Sequence, residues 1–108
     1  MNQPEPMPPV KEITVAALKT CLRQGDDPVI VDVREDDEVA GGMIPGALHI
    51  RLGDLADRYQ ELPDSQDIYF ICRGGGRSAR ACRFMYERGR TNAVSVAGGM
   101  ELWLAHAP

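Results

Sequence analysis

Short apolar runs recur along the chain and are separated by longer segments of mixed character. The three clearest runs are PVIVDV at 28–33, DIYFIC at 67–72 and AVSVA at 93–97. Runs of this length and composition predict strands that are buried on both faces. Two weaker strands are also expected, a short edge strand at Glu12–Ile13 and a brief strand within IPGALHI at 44–50.

The segments between these runs predict helices. Thr14 is a suitable N-cap for the first helix, and Gly25 lies just beyond its end. Further along, Leu52, Leu55 and Leu62 recur at helical spacing on one side. Strands that alternate with helices predict a parallel sheet with helices on both faces, and hence one α/β domain. The predicted helices are 15–24, 52–62, 78–89 and 100–107, with a short acidic helical turn within 34–42.

A chain of 108 residues is most simply one domain. Its start, MNQPEPMPPV, is rich in proline and polar residues, so we expect a flexible leader at 1–10 followed by a single domain at 11–108. This start has neither the basic nor the apolar region of a secretory signal. No run approaches the roughly 20 apolar residues of a membrane span. A cytoplasmic location without membrane contact is therefore expected.

The distribution of charge is uneven. The formal net charge is −4, which disfavours nucleic acid as a partner. Half of the twelve basic residues nevertheless lie between positions 73 and 90, where Glu87 is the only acidic residue. Positive charge concentrated beside a cysteine indicates a small anion as ligand. For the charged residues that recur at helical spacing a solvated helix face is preferred, namely for Arg80, Arg83, Glu87 and Arg90.

The three cysteines, Cys21, Cys72 and Cys82, contain no CxxC pair, and neither histidine lies at ligand spacing from them. This pattern argues against a disulfide framework and against a zinc site, so free thiols and no metal are expected. Cys21 and Cys82 lie on apolar faces of predicted helices, where buried thiols are usually inert.

Cys72 has a different setting within FICRGGGRSAR at 70–80. It ends a predicted strand, and a helix is predicted to begin near Ser78. In an open α/β sheet, ligands bind at the carboxyl ends of the strands. Glycines at 74–76 allow the backbone N–H groups of 73–78 to surround the sulfur, and the helix N-terminus adds positive potential. We therefore expect Cys72 to lie in a loop outside the core, with a lowered thiol pKa.

Three interpretations of this loop compete. A nucleotide-binding loop is poorly supported, because neither GxGxxG nor GxxxxGK[ST] is present. A structural turn with an unreactive cysteine is the second. A reactive nucleophile is preferred because arginines flank the glycines in a strand–loop–helix setting.

Four motifs carry a resemblance to a known family: DVRE at 32–35, GMIPGALHI at 42–50, CRGGGRS at 72–78 and VAGGMELW at 96–103. The chain resembles a single-domain rhodanese, of the thiosulfate sulfurtransferase family. The resemblance implies a rhodanese-like α/β fold, with a central parallel five-stranded sheet flanked by helices on both faces. It also implies that Cys72 carries sulfur as a persulfide. Met43 replaces a histidine that the family usually has.

The implied activity is transfer of a sulfane sulfur from thiosulfate or a persulfide donor, through Cys72, to cyanide or to a thiol or dithiol acceptor such as a thioredoxin. Cys72 is the predicted nucleophile, and no cofactor is required. Ser78 either caps the helix, which is preferred, or donates to the persulfide. Arg77 lies five positions after Cys72, one fewer than in cysteine phosphatases, which favours sulfur over phosphate. The predicted substrate-binding residues are Arg73, Gly74, Gly75, Gly76, Arg77 and Ser78.

Two questions stay open at the level of sequence. Asp32 and Arg34 follow a neighbouring strand and either pair with loop groups such as Arg77 or form an ordinary structural ion pair. The chain is also compatible with a persulfide carrier for one pathway, or with a rhodanese-like binding module that performs no chemistry. The intact Cys72 argues against the binding module.

Overall fold

The structure, a computed structural model, describes residues 7–106. Its centre is a sheet of five parallel strands, as the family resemblance implies, and the strand order is β1-β5-β4-β2-β3. The short strands β1 and β3 form the two edges, and β4 is central. The strands are β1 (Glu12–Thr14), β2 (Val29–Asp32), β3 (Leu48–His49), β4 (Ile68–Ile71) and β5 (Ala93–Ala97).

Helices cover both faces of the sheet, as predicted. Leu55 and Met85 pack with Phe70 on one face, and Leu18 and Met100 pack with other strand residues on the opposite face. Successive side chains of a strand point to opposite faces of the sheet, and on each face the helices bury the apolar ones. The helices are α1 (Val15–Arg23), α2 (Asp36–Val39), α3 (Leu55–Arg58), α4 (Gly76–Glu87) and α5 (Gly99–Ala105).

The ends of α1 follow the sequence prediction. The Thr14 hydroxyl accepts a hydrogen bond from the N–H of Ala17 at 3.0 Å and so caps the helix. Gly25 follows with a φ of +83°, the left-handed conformation that glycine adopts without strain.

The segment 52–62 differs from the single helix that was predicted. Only α3 is α-helical, and it is flanked by 3₁₀ turns at Leu52–Asp54 and Tyr59–Glu61. Ion pairs three residues apart, Arg51–Asp54 at 2.8 Å and Arg58–Glu61 at 3.0 Å, suit 3₁₀ turns, in which residues i and i+3 eclipse.

The carboxyl end of the predicted leader at 1–10 contacts the sheet and the core. Val10 packs against the core, and the next residue, Lys11, accepts a hydrogen bond from the N–H of Ser95 at 2.8 Å. This backbone pairing extends the contact between β1 and β5 toward the N-terminus, and it draws Val10 onto the apolar surface. Residues 1–6 lie outside the described part of the chain.

The basic segment after the glycine loop divides into two environments. Arg80, Arg83 and Glu87 are exposed, as predicted for a solvated face. Arg90 is half-buried instead, and its guanidinium donates to the carbonyl oxygen of Leu62 at 2.8 Å. Within residues 7–106, no helix is long and apolar enough to cross a membrane.

Candidate active site

Cys72 follows the last residue of β4, at the carboxyl edge of the sheet. Because β4 is the central strand, this position brings the thiol close to the segments that follow β2 and β5. Cys72 is only 1% exposed and belongs to the hydrophobic core. The expectation that it lies outside the core is therefore wrong, because the loop folds back over the sulfur. The loop residues Arg73, Gly74 and Gly76 are exposed above it.

Backbone N–H groups surround the sulfur, as the glycine-rich sequence predicts. The N–H groups of Gly75 and Ser78 donate to the Cys72 Sγ at 3.1 and 3.3 Å. Gly75 has a φ of +112° and forms the N-cap of α4, so the chain turns sharply enough to direct both N–H groups inward. The arrangement stabilises negative charge on sulfur.

The ionisation of Cys72 is set by opposing effects. Burial by itself raises the pKa of the thiol, because it disfavours the charged form. The hydroxyl of Ser78 and the backbone N–H groups of Ser78, Gly75 and Gly74 outweigh burial and hold the pKa below its ordinary value. These hydrogen-bond donors are the principal lowering causes, as the glycine-rich loop predicts for its backbone N–H groups.

Ser78 is the third residue of α4, and the prediction that it caps the helix is wrong. Gly75 occupies the N-cap position, since α4 begins two residues before Ser78. The Cys72 thiol donates to the Ser78 Oγ at 3.6 Å, and the Ser78 hydroxyl donates to the carbonyl oxygen of Gly75 at 3.0 Å. When the thiol loses its proton, rotation of the hydroxyl can direct its hydrogen to the sulfur instead. Its position fits the other predicted role, a contact with the sulfur.

Ser95 is a neighbour that sequence reasoning missed. Its buried hydroxyl lies 2.7 Å from the Ser78 Oγ, and either oxygen can donate. The sequence feature that could have identified Ser95 is its position as the single polar residue of the apolar strand β5, AVSVA. A buried hydroxyl in such a strand requires a partner, and Ser78 supplies it.

Arg77 is held by Glu38, which the sequence analysis did not identify. The guanidinium donates through Nη1 and Nη2 to the two carboxylate oxygens at 2.5 and 2.8 Å. Hydrogen bonds from Arg77 are the main reason that the pKa of Glu38 falls to about 2, and the N–H of Glu35 adds to the effect. Glu38 belongs to the acidic turn after β2, and the adjacency of β2 and β4 in the sheet brings this turn to the Cys72 loop.

The second loop arginine, Arg73, is more exposed. Its Nε donates to the Oε1 of Glu101 at 3.1 Å, and both side chains face solvent. Exposed pairs of this kind contribute little to stability. Both predicted substrate-binding arginines therefore have carboxylate partners.

Asp32 and Arg34 form a buried ion pair with each other. The Arg34 guanidinium donates to both carboxylate oxygens at 2.9–3.1 Å, and its Nη2 also donates to the carbonyl oxygen of Gly42 at 2.8 Å. Of the two pairings left open by the sequence, the structure shows the mutual pair. It ties β2 to the loop before β3.

The N-terminus of α5 fixes the backbone of the Cys72 loop. The N–H groups of Met100 and Glu101 donate to the carbonyl oxygens of Cys72 and Arg73 at 2.8 and 3.0 Å. Gly99 has a φ of +58°, and a Cβ there would overlap the Cys72 carbonyl oxygen and lie 2.6 Å from that of Arg73. Glycine at this position allows α5 to approach the loop closely.

The remaining cysteines are also free thiols. Burial raises the pKa of Cys82 to about 12, so at neutral pH it is almost entirely protonated and unreactive. Cys21 is partly exposed on α1. Within residues 7–106, no three His, Cys, Asp or Glu side chains are grouped to hold a metal ion.

Comparison with known proteins assigns the family. Residues 14–106 match the rhodanese-like domain. YtwF of Bacillus subtilis (strain 168), named as an inferred sulfurtransferase, is 45% identical over 94 residues, covering 87% of this chain and 90% of YtwF. Thiosulfate sulfurtransferase GlpE of Pseudomonas putida is 32% identical over 87 residues, covering 81% of this chain and 79% of GlpE. A crystal structure of a rhodanese-like domain protein from Staphylococcus aureus has a TM-score of 0.83 and 37% identity, covering 87% of this chain and 91% of that one.

The chain belongs to the rhodanese-like family. Relatives that match most of its length are named sulfurtransferases, which supports sulfur transfer as its general activity.

Proposed function

We propose that this member of the rhodanese-like family transfers a sulfane sulfur through a persulfide on Cys72. One observation carries the proposal. The Cys72 sulfur lies at the carboxyl end of the central strand, with the N–H groups of Gly75 and Ser78 at 3.1 and 3.3 Å. A thiol whose pKa is lowered by such donors is a stronger candidate nucleophile than an ordinary buried cysteine.

The first step loads sulfur onto the protein. The Cys72 thiolate attacks the outer sulfur of the donor, a new S–S bond forms, and the bond inside the donor breaks. With thiosulfate the products are the Cys72 persulfide anion and sulfite. With an organic persulfide, RSSH, the products are the protonated Cys72 persulfide and the thiolate RS⁻. Thiosulfate is included because the relative GlpE is named for it.

The second step unloads the sulfur. An acceptor attacks the outer sulfur of the persulfide, the Cys72–sulfur bond breaks, and the Cys72 thiolate leaves. Cyanide gives thiocyanate, and a thiol R′SH gives the persulfide R′SSH. We include a dithiol protein such as a thioredoxin among the acceptors. The loop N–H groups that stabilise the thiolate also stabilise it as the leaving group in this step.

Burial of Cys72 limits which donors react. Because Cys72 is 1% exposed beneath the loop, a donor must present its sulfur at a narrow terminus. A terminal sulfane sulfur meets this requirement in both thiosulfate and an organic persulfide. Donors whose transferred sulfur lies between two bulky groups, as in an organic trisulfide, are excluded by the same geometry.

Steady-state kinetics test the two-step reaction. With thiosulfate and cyanide both varied, formation of thiocyanate should show parallel double-reciprocal lines, because sulfite leaves before cyanide reacts. Intersecting lines would show that both substrates bind before chemistry and would contradict a persulfide intermediate.

A further inference from the structure

The two loop arginines are paired in different ways. Arg77 and Glu38 share a bidentate ion pair in which the side chains are only 29% and 25% exposed. Arg73 and Glu101 are 73% and 61% exposed and share one contact at 3.1 Å. Bidentate and partly buried pairs are held more firmly than exposed ones, since water competes less well for the charges. Arg77 is therefore the arginine whose charge is effectively neutralised.

Glu38 is held in place independently of Arg77. Its Oε1 accepts a hydrogen bond from the backbone N–H of Glu35 at 2.9 Å, within the capping box of α2. The carboxylate consequently faces α4 from a fixed position after β2. It stays ionised at every physiological pH, because its pKa lies near 2.

This pairing has a direct consequence for the charge of the donor. A thiolate repels a dianion such as thiosulfate, and an unpaired arginine near the loop would offset that repulsion. A donor with at most one negative charge suffers less repulsion and needs less compensation. With Arg77 paired, the positive groups left for the donor are the backbone N–H groups of the loop and the exposed, loosely paired Arg73.

We propose that Glu38 is a specificity-determining residue, which disfavours dianionic sulfur donors relative to donors with at most one negative charge by occupying Arg77. This inference rests on the proposed sulfur transfer through Cys72. The property of the donor that the site selects is its charge. Glu38 acts through Arg77 and does not itself contact the sulfur.

Glu38→Gln tests the inference with little change of shape. The glutamine oxygen can still accept the N–H of Glu35, while the negative charge that neutralises Arg77 is removed. Thiosulfate and the persulfide of 2-mercaptoethanol serve as the two donors, with cyanide as acceptor. We expect the ratio of kcat/KM for thiosulfate to that for the persulfide to rise about tenfold, the size of a moderate charge interaction near a protein surface.

Two matched variants separate this effect from others. Glu61→Gln removes the same charge from an arginine pair on another segment, and it should leave the ratio within about twofold, as expected of an exposed pair. In the double variant Glu38→Gln with Arg77→Met, the ratio of kcat/KM for thiosulfate to that for the persulfide should not rise, because the charge released by Glu38→Gln belongs to Arg77. A gain that persists without Arg77, or an unchanged ratio in Glu38→Gln, overturns the inference.

Salt dependence provides a readout that a purely structural role would not change. In the unaltered protein, kcat/KM for thiosulfate should rise with ionic strength, because salt screens the repulsion between thiolate and dianion. In Glu38→Gln it should fall, because salt screens a freed Arg77. A fall of kcat/KM with ionic strength in the unaltered protein would overturn the inference even if Glu38→Gln did not fold.

Loading of Cys72 distinguishes failure of this inference from failure of the proposed function. If neither donor loads Cys72 with sulfur, the proposed function fails. If both donors load it and the ratio of the two kcat/KM values does not respond to Glu38→Gln, only this inference fails.

Discussion

Cys72→Ser should lower kcat/KM for sulfur transfer by at least about a thousandfold, since loss of a covalent nucleophile commonly costs this much or more. A serine hydroxyl at neutral pH is a far weaker nucleophile than a thiolate and cannot form a persulfide. The measurement is thiocyanate formation from thiosulfate and cyanide. Cys21→Ser is the matched control, because it makes the same chemical change on α1, and it should retain transfer.

The same variant tests whether the thiol has a structural role. Cys72 lies in the core, so Cys72→Ser should lower the free energy of unfolding by about 1 kcal/mol, a typical cost for a conservative buried change. The loss is small because the serine oxygen can accept from the N–H groups of Gly75 and Ser78. Urea denaturation measures it. Global unfolding of the variant, or transfer near the original rate, would contradict the assignment.

Ser78→Ala should weaken the activation of the Cys72 thiol. The variant removes the hydroxyl that favours the Cys72 thiolate and leaves the backbone N–H groups in place. The pKa of Cys72 should rise, so the pH midpoint for its alkylation by iodoacetamide should move upward. The value of kcat/KM for thiosulfate at neutral pH should fall about tenfold, in line with one hydrogen bond to a charged group.

Ser95→Ala is the control for Ser78→Ala. It removes the partner at 2.7 Å from the Ser78 Oγ but leaves the contact between Ser78 and the sulfur. Its alkylation midpoint should stay close to that of the unaltered protein. If Ser78→Ala leaves the midpoint unchanged, or if both variants shift it equally, the hydroxyl does not act directly on the sulfur.

Much of the fold was predictable because its signals are local. The strands β2, β4 and β5 were recognised from short apolar runs, and Thr14 and Gly25 mark the ends of α1 through their own backbone chemistry. The placement of Cys72 at a strand end followed from the same runs. The segment 52–62 was harder, because its apolar spacing fits both one helix and the series of short turns that the structure shows.

The partners of the site residues were not predictable in the same way. Glu38 lies 39 positions from Arg77, and Glu101 lies 28 positions from Arg73. A single sequence shows that acidic residues are present but does not say which of them the sheet order brings to an arginine. The adjacency of β2 and β4 brings Glu38 to Arg77, and the position of α5 brings Glu101 to Arg73.

The most direct test of the central claim is the mass of the intact protein before and after incubation with thiosulfate, followed by peptide mapping. One added sulfur atom, about 32 Da, should appear on Cys72, and cyanide should remove it with formation of thiocyanate. An adduct on Cys21 or Cys82, or thiocyanate formation by a protein that never carries sulfur on Cys72, would contradict the account.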